Sequence, residues 1–256
     1  MIIFFFVLII HCIFANMKNR TYLMNVRLII LPLLLHVFVS CSSGYLIEGN
    51  SSITRLDGKM LFLKVASGDQ MINIDSAEVV HGLFQMEGEI DSALFALLYM
   101  DDQSIMPLVV EKGTVQIKID DGRITAGGTP LNEKLYEFIA QKSALDDRAY
   151  EMERKESRMI MDGRPIAAIE KEISKERDML SKELDLLIKL FIQENYENVL
   201  GPSIFVMLGT SFPYPLVTPL IEEIMKDAPE SFKTNEMVKE YMETAHENMD
   251  KMNARR

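Results

Sequence analysis

Residues 84–90 read Phe-Gln-Met-Glu-Gly-Glu-Ile (FQMEGEI), and 114–120 read Thr-Val-Gln-Ile-Lys-Ile-Asp (TVQIKID). Both alternate with a period of two. Phe84, Met86, Gly88 and Ile90 fall on one side, and Gln85, Glu87 and Glu89 on the other. Val115, Ile117 and Ile119 oppose Gln116 and Lys118 in the same way. Successive side chains of a strand point to opposite faces, so this pattern predicts strands with one face on a core and one in water. The segments KMLFLKV (59–65), QMINI (70–74), ALFALLYM (93–100) and MPLVVEK (106–112) extend the series. Turn residues separate them at Asp57-Gly58, Ser67-Gly68, Glu111-Lys112-Gly113 and Asp121-Gly122. Seven or eight short strands over residues 44–127 predict an antiparallel β-sandwich or open barrel, with Pro107 at a strand start or on an edge.

The period changes at GGTPLNEKLYEF (127–138). Thr129 is suited to an N-cap and Pro130 to the first helical position, where its missing N–H costs nothing. Leu131, Leu135, Phe138 and Ile139 then make an apolar stripe. Asp162-Gly163 breaks this helix, and a second follows Pro165 with Ile166, Ile169, Ile173, Leu180, Leu184, Leu187, Ile188 and Phe191 on one face. An antiparallel helical hairpin over about 130–198 is expected. Gly201-Pro202 opens the short apolar helix SIFVMLGTSF, which Pro213 and Pro215 end; Pro219 opens LIEEIMKDA, and a last amphipathic helix covers about 234–253. The predicted class is α+β: a β-sandwich or open barrel over 44–127, then an all-helical region over 129–256.

Residues 1–40 differ from everything after them. Three of the 27 basic residues (Lys18, Arg20, Arg27) and none of the 38 acidic ones lie there, leaving a net charge of −14 on the remainder. Such an acidic body repels a phosphate backbone, so nucleic acid is not an expected partner. The apolar runs at 1–15 and 28–40 are each shorter than the roughly 20 residues of a membrane-spanning helix. The second has the basic, apolar and small-residue succession of a signal peptide. The first has no charge ahead of it, which points to translation beginning at Met17 or Met24. Phe38-Val39-Ser40-Cys41-Ser42-Ser43 resembles the lipobox of bacterial lipoproteins, with Phe38 where Leu is usual. That resemblance implies a lipid on Cys41, and Ser42 beside it resembles sorting to the outer membrane. Triacylation of this kind anchors a protein stably. With Cys12 in the leader, Cys41 leaves no partner for an intramolecular disulfide or a C-x-x-C relay.

The remaining chemical candidates are weak. His246 opens His-Glu-Asn-Met-Asp, without the second histidine of a zinc-binding H-E-x-x-H. His81 sits beside a turn. Met60, Met71, Met86 and Met100 fall on strands and read as core, not as soft-metal ligands; Met249 and Met252, with Met242, give the closest spacing. Asp101-Asp102 and Asp120-Asp121 read as hairpin residues instead of calcium ligands or glycosidic carboxylates. Ser203 lacks a nucleophile-elbow context. No catalytic, cofactor or metal residue is therefore expected.

Five segments taken in order resemble one family: YLIEGN (45–50), GKMLFLK (58–64), IDSAEVVHGLFQMEGEID (74–91), PLVVEKGTVQIKIDD (107–121) and GGTPLNEKLYEF (127–138). They are similar to the domain of unknown function that follows the lipobox in bacterial thiol–disulfide interchange lipoproteins. There a helical linker and a thioredoxin-like domain come next. This sequence has no Trp and no Trp-Cys-x-x-Cys, so the family's redox residues have no positions to land on. The expectation is a non-enzymatic envelope lipoprotein that binds a partner; the alternative is an accessory subunit acting through a separate thioredoxin-like protein.

Overall fold

The computed structural model describes residues 44–68, 70–209 and 213–254. Eight strands come first: β1 (Gly44–Ser51), β2 (Met60–Ser67), β3 (Gln70–Glu78), β4 (Leu83–Glu89), β5 (Leu94–Met100), β6 (Gln103–Val110), β7 (Gly113–Asp120) and β8 (Arg123–Gly127). They form two four-stranded sheets, ordered β4-β1-β7-β8 and β3-β2-β5-β6. Ile47, Met86, Val115 and Ile117 of the first sheet meet Leu61, Leu63, Leu98 and Leu108 of the second in one buried core. The inward alternation of FQMEGEI and TVQIKID is therefore observed.

One pairing differs from the antiparallel expectation: β1 and β7 run parallel, Tyr45 opposite Gly113 through Ser51 opposite Ile119. A parallel pair cannot be closed by a hairpin. Here the chain passes through the whole second sheet between the two strands. Alternation gives the buried face of each strand but says nothing of its neighbour's direction.

On β1 and β4 an aromatic ring twice covers a glycine. Tyr45 lies opposite Gly88, and Gly49 opposite Phe84. A Cβ on Gly49 would fall 2.0 Å from the Phe84 ring. The Tyr45 hydroxyl crosses the sandwich and donates to Asp75 Oδ2 on β3 (2.9 Å). Burial, and then the neighbouring carboxylate, push the Tyr45 hydroxyl up to about 12 from its ordinary 10.0. A raised pKa means stability that is complete below pH 10 and is lost as pH climbs towards 12. Chemical denaturation at pH 9 and 11.5 is expected to show a smaller alkaline loss for Tyr45→Phe than for the parent. The loss persists in part, because burial also raises Tyr136, Tyr196 and Tyr241.

Six helices follow: α1 (Pro130–Met161), α2 (Ile166–Glu194), α3 (Leu200–Leu208), α4 (Pro219–Asp227), α5 (Glu230–Lys233) and α6 (Glu236–Asn253). α1 and α2 make the expected hairpin. The bases of these two helices join α3–α6 in a second core around Leu135, Phe191, Ile192, Phe205, Phe232 and Tyr241. Phe138 stacks on Phe191 with ring centroids 4.2 Å apart. Val109 of β6 belongs to this core and Tyr136 touches both, so the outer face of the second sheet is also a helix-packing face. α3 begins at Leu200, one residue before the Gly201-Pro202 pair expected to open it.

Candidate functional site

The joint between sandwich and helices is a polar network. Asn132, in the first turn of α1, is fully buried. Its Oδ1 accepts from Val109 N–H (2.9 Å), while Nδ2 donates to Val109 O (2.7 Å) and to Thr129 Oγ1 (2.9 Å). One primary amide thus satisfies both backbone groups of a residue on the β6 edge, as a ninth strand would. The Tyr136 hydroxyl donates to Pro107 O one helical turn later (2.9 Å). Pro107 is on an edge strand, as its lack of an N–H requires. Thr129 is the N-cap residue of α1, as expected, but its side chain makes no cap bond. Glu111 Oε1 instead accepts from the N–H groups of Leu131 (2.8 Å) and Asn132 (3.2 Å). A carboxylate there also complements the positive end of the helix dipole. Twenty residues separate Glu111 from its partners, so no local pattern advertises it.

These contacts give α1 a direction. Moving from Asn132 to Tyr136 takes the helix from Val109 back to Pro107. At 1.5 Å per helical residue and 3.3 Å per strand residue, α1 clears the Gln103 end of β6 roughly 13 residues on, near Leu145. Beyond it the hairpin has its own small core of Met152, Met159, Ile169 and Ile173. Ion pairs flank this seam: Arg148–Glu183, Lys155–Glu176 (3.0 Å), Arg177–Glu156 (3.3 Å), and Glu172 shared by Lys155 (2.9 Å) and Arg164 (3.0 Å). The result is an arm. Its tip carries Ile160, Met161 (81% exposed) and Ile166 (71% exposed). Ile166 was expected on the buried stripe; it sits one turn past the last seam residue, Ile169, where α1 has ended.

The sequence candidates fall elsewhere. Cys41 and the whole leader lie outside the described residues. His81 is exposed with φ 52°, and with Gly82 (φ 77°) it makes the two-residue turn closed by Val80 and Leu83. That turn type suits residues tolerant of positive φ, and Gly82 supplies one. His81 borders a pocket of about 200 Å³ with Ser51, Ser52, Thr54 and Asp57. Asp57 Oδ1 there accepts from Gly82 N–H (3.4 Å). His246 is exposed, its Nδ1–H bound to Met242 O (2.7 Å). Asp101-Asp102 and Asp120-Asp121 are hairpin residues, Asp101 with φ 54°. Met86, Met106, Met152 and Met159 are buried; Met60 and Met71 are exposed on strands. Ser203 is buried in α3. Among the described residues no three or more His, Cys, Asp or Glu side chains gather as a metal site, and no helix is long and apolar enough to cross a membrane.

Two other open grooves lie over the first sheet and at the base of the hairpin. One, of about 570 Å³, runs over the outer face of the first sheet between Glu48, Asn50, Gln85, Gln116 and Lys118, with Val80 and Leu83 at its rim. The other, about 390 Å³, lies at the base of the hairpin over Phe138, Leu187, Leu190 and Phe191. None of the curated proteins matches the chain. Residues 45–135, from the second residue of β1 to the last residue before Tyr136, match the model of a domain of unknown function (DUF4369), a match that spans the sandwich and the start of α1.

Proposed function

We propose that the protein is a non-catalytic interaction module of the cell envelope, anchored through lipid on Cys41 to a membrane, the outer membrane facing the periplasm. The observation that carries this reading is the placement of the arm. Gly44, three residues after Cys41, begins a strand whose next residue pairs with Gly113, and Gly113 lies against Thr129 at the root of α1. An anchor at Cys41 therefore holds the rooted end of the hairpin and leaves its apolar tip directed away from the anchored end. α1 alone is about 48 Å long at 32 residues, so the tip reaches well clear of the sandwich. Exposed Ile160, Met161 and Ile166 offer a small apolar contact that a partner protein would bury.

Radioactive fatty-acid labelling in the native cell tests the anchor. Label is expected on the parent chain and absent from Cys41→Ala; equal labelling of both overturns it. A photo-crosslinking residue at Met161 tests the arm. A discrete adduct that is lost on Ile160→Ser with Ile166→Ser is expected, and no adduct removes the arm from the reading. A thioredoxin-like protein in that adduct would specify the accessory-subunit form of the same function.

A further inference from the structure

The arm holds its methionines in two different ways. Met152 and Met159 lie in the seam against Ile169 and Ile173, 6% and 5% exposed. At about 100° per residue, the two steps from Met159 to Met161 carry the side chain to the opposite side of α1. Met161 is accordingly 81% exposed, the barest large apolar side chain among the described residues; Met179, the next methionine, is 50% exposed. Its neighbours at the tip, Ile160 and Ile166, are saturated hydrocarbons and inert to mild oxidants. A thioether is not inert: peroxides convert it to the sulfoxide, and exposure governs which thioether reacts first.

We propose that Met161 is an oxidation site, and that conversion of its thioether to the sulfoxide by a peroxide releases the partner from the tip of the arm. This rests on the reading of the tip as the partner-binding surface. The sulfur lone pair attacks one oxygen of hydrogen peroxide, and an S–O bond forms as the O–O bond breaks. The departing hydroxide takes up a proton and leaves as water. Sulfur gives up two electrons and the peroxide accepts them. The product is a polar group with a strong hydrogen-bond acceptor in place of an apolar one. An apolar contact has no donor for that oxygen, so burying it again costs free energy.

The position of Met161 confines the change to the contact. The seam of Met152, Met159, Ile169 and Ile173 lies on the other side of the helix and keeps its thioethers shielded. The ion pairs beside it involve no methionine. The arm therefore stays folded while its tip turns polar. A bound partner covers the sulfur, so oxidation falls on the free arm, and reduction by a methionine sulfoxide reductase restores the contact.

Two measurements test this. In a hydrogen peroxide time course on the full chain, peptide mass spectrometry is expected to find Met161 converted first and Met152 and Met159 last. The circular dichroism spectrum should not change as Met161 converts. For the contact, a photo-crosslinking residue replaces Asp162 in native cells, which leaves Met161 in place. A peroxide pulse is expected to lower the adduct yield roughly tenfold, the effect of one buried polar group without a partner. Sulfoxide reductase should restore the adduct, and Met161→Leu should keep it through the pulse. Met161 reacting no faster than Met152 overturns the proposal without reference to any partner. An adduct that forms before the pulse and persists once Met161 is fully converted overturns it too, and leaves the tip as a binding surface. Equal loss from Met161→Leu does the same by placing the sensitive group elsewhere. No adduct before the pulse removes both the binding surface and the proposal.

Discussion

Asn132→Leu is expected to be among the most destabilising single substitutions in this chain, at roughly 2–5 kcal/mol by chemical denaturation. Leucine is close to asparagine in size, so lost volume is not the cause. The substitution strands Val109 N–H and Val109 O, both buried at the joint, with no water to replace the amide. Each orphaned backbone group costs about 1–3 kcal/mol, and Thr129 Oγ1 loses its donor as well. Tyr136→Phe, which removes one bond to Pro107 O, is expected to cost only about 1 kcal/mol. Equal effects from the two variants would show that Asn132 acts through packing alone. Since Val109 belongs to the helical core, loss of this clasp is also expected to expose helical amides to hydrogen exchange before those of β1 and β7.

Gly49→Val should cost at least about 3 kcal/mol, by a different mechanism. The strand geometry at Gly49 suits any residue; space does not. The Phe84 ring occupies the volume in which the Cβ of residue 49 would lie, 2.0 Å from ring carbons. Phe84 is itself buried, so it cannot swing away without opening the sandwich core. The test is a double variant. Gly49→Val combined with Phe84→Ala should be less destabilising than the sum of the two single changes, because each vacates what the other needs. Additive losses would remove the steric explanation. Gly88→Ala offers a milder comparison, since its Cβ would meet the Tyr45 ring at 2.9 Å, against 2.0 Å between Gly49 and Phe84.

Much of the local structure was legible beforehand. FQMEGEI and TVQIKID alternate as their burial does, Pro130 opens α1, and Asp162-Gly163 separates α1 from α2. Asp121-Gly122 and the His81-Gly82 turn lie where turn chemistry puts them. These features depend on residues within a few positions of one another. Thr129 at the N-cap of α1 was legible, but the group that binds the first N–H groups was not, because the fold brings Glu111 from the link between β6 and β7. The bare tip was half legible: the apolar Ile160, Met161 and Ile166 are evident, but their exposure depends on where the hairpin leaves its support.

Residue order alone determined the strand faces, the helix breaks, the α+β class and the acidic body. It also drew attention to Cys41, whose lipid remains a proposal. Tertiary structure alone decided that β1 and β7 run parallel, that Val109 needs Asn132, and that β3 is left as an open edge. The reason is physical. Side-chain periodicity encodes which face of an element is wet, but an edge exists only once all other strands have found their neighbours. The same period of two is compatible with a central strand and with an edge strand, and only the completed sheet order distinguishes QMIN on the rim from LFLK beside it.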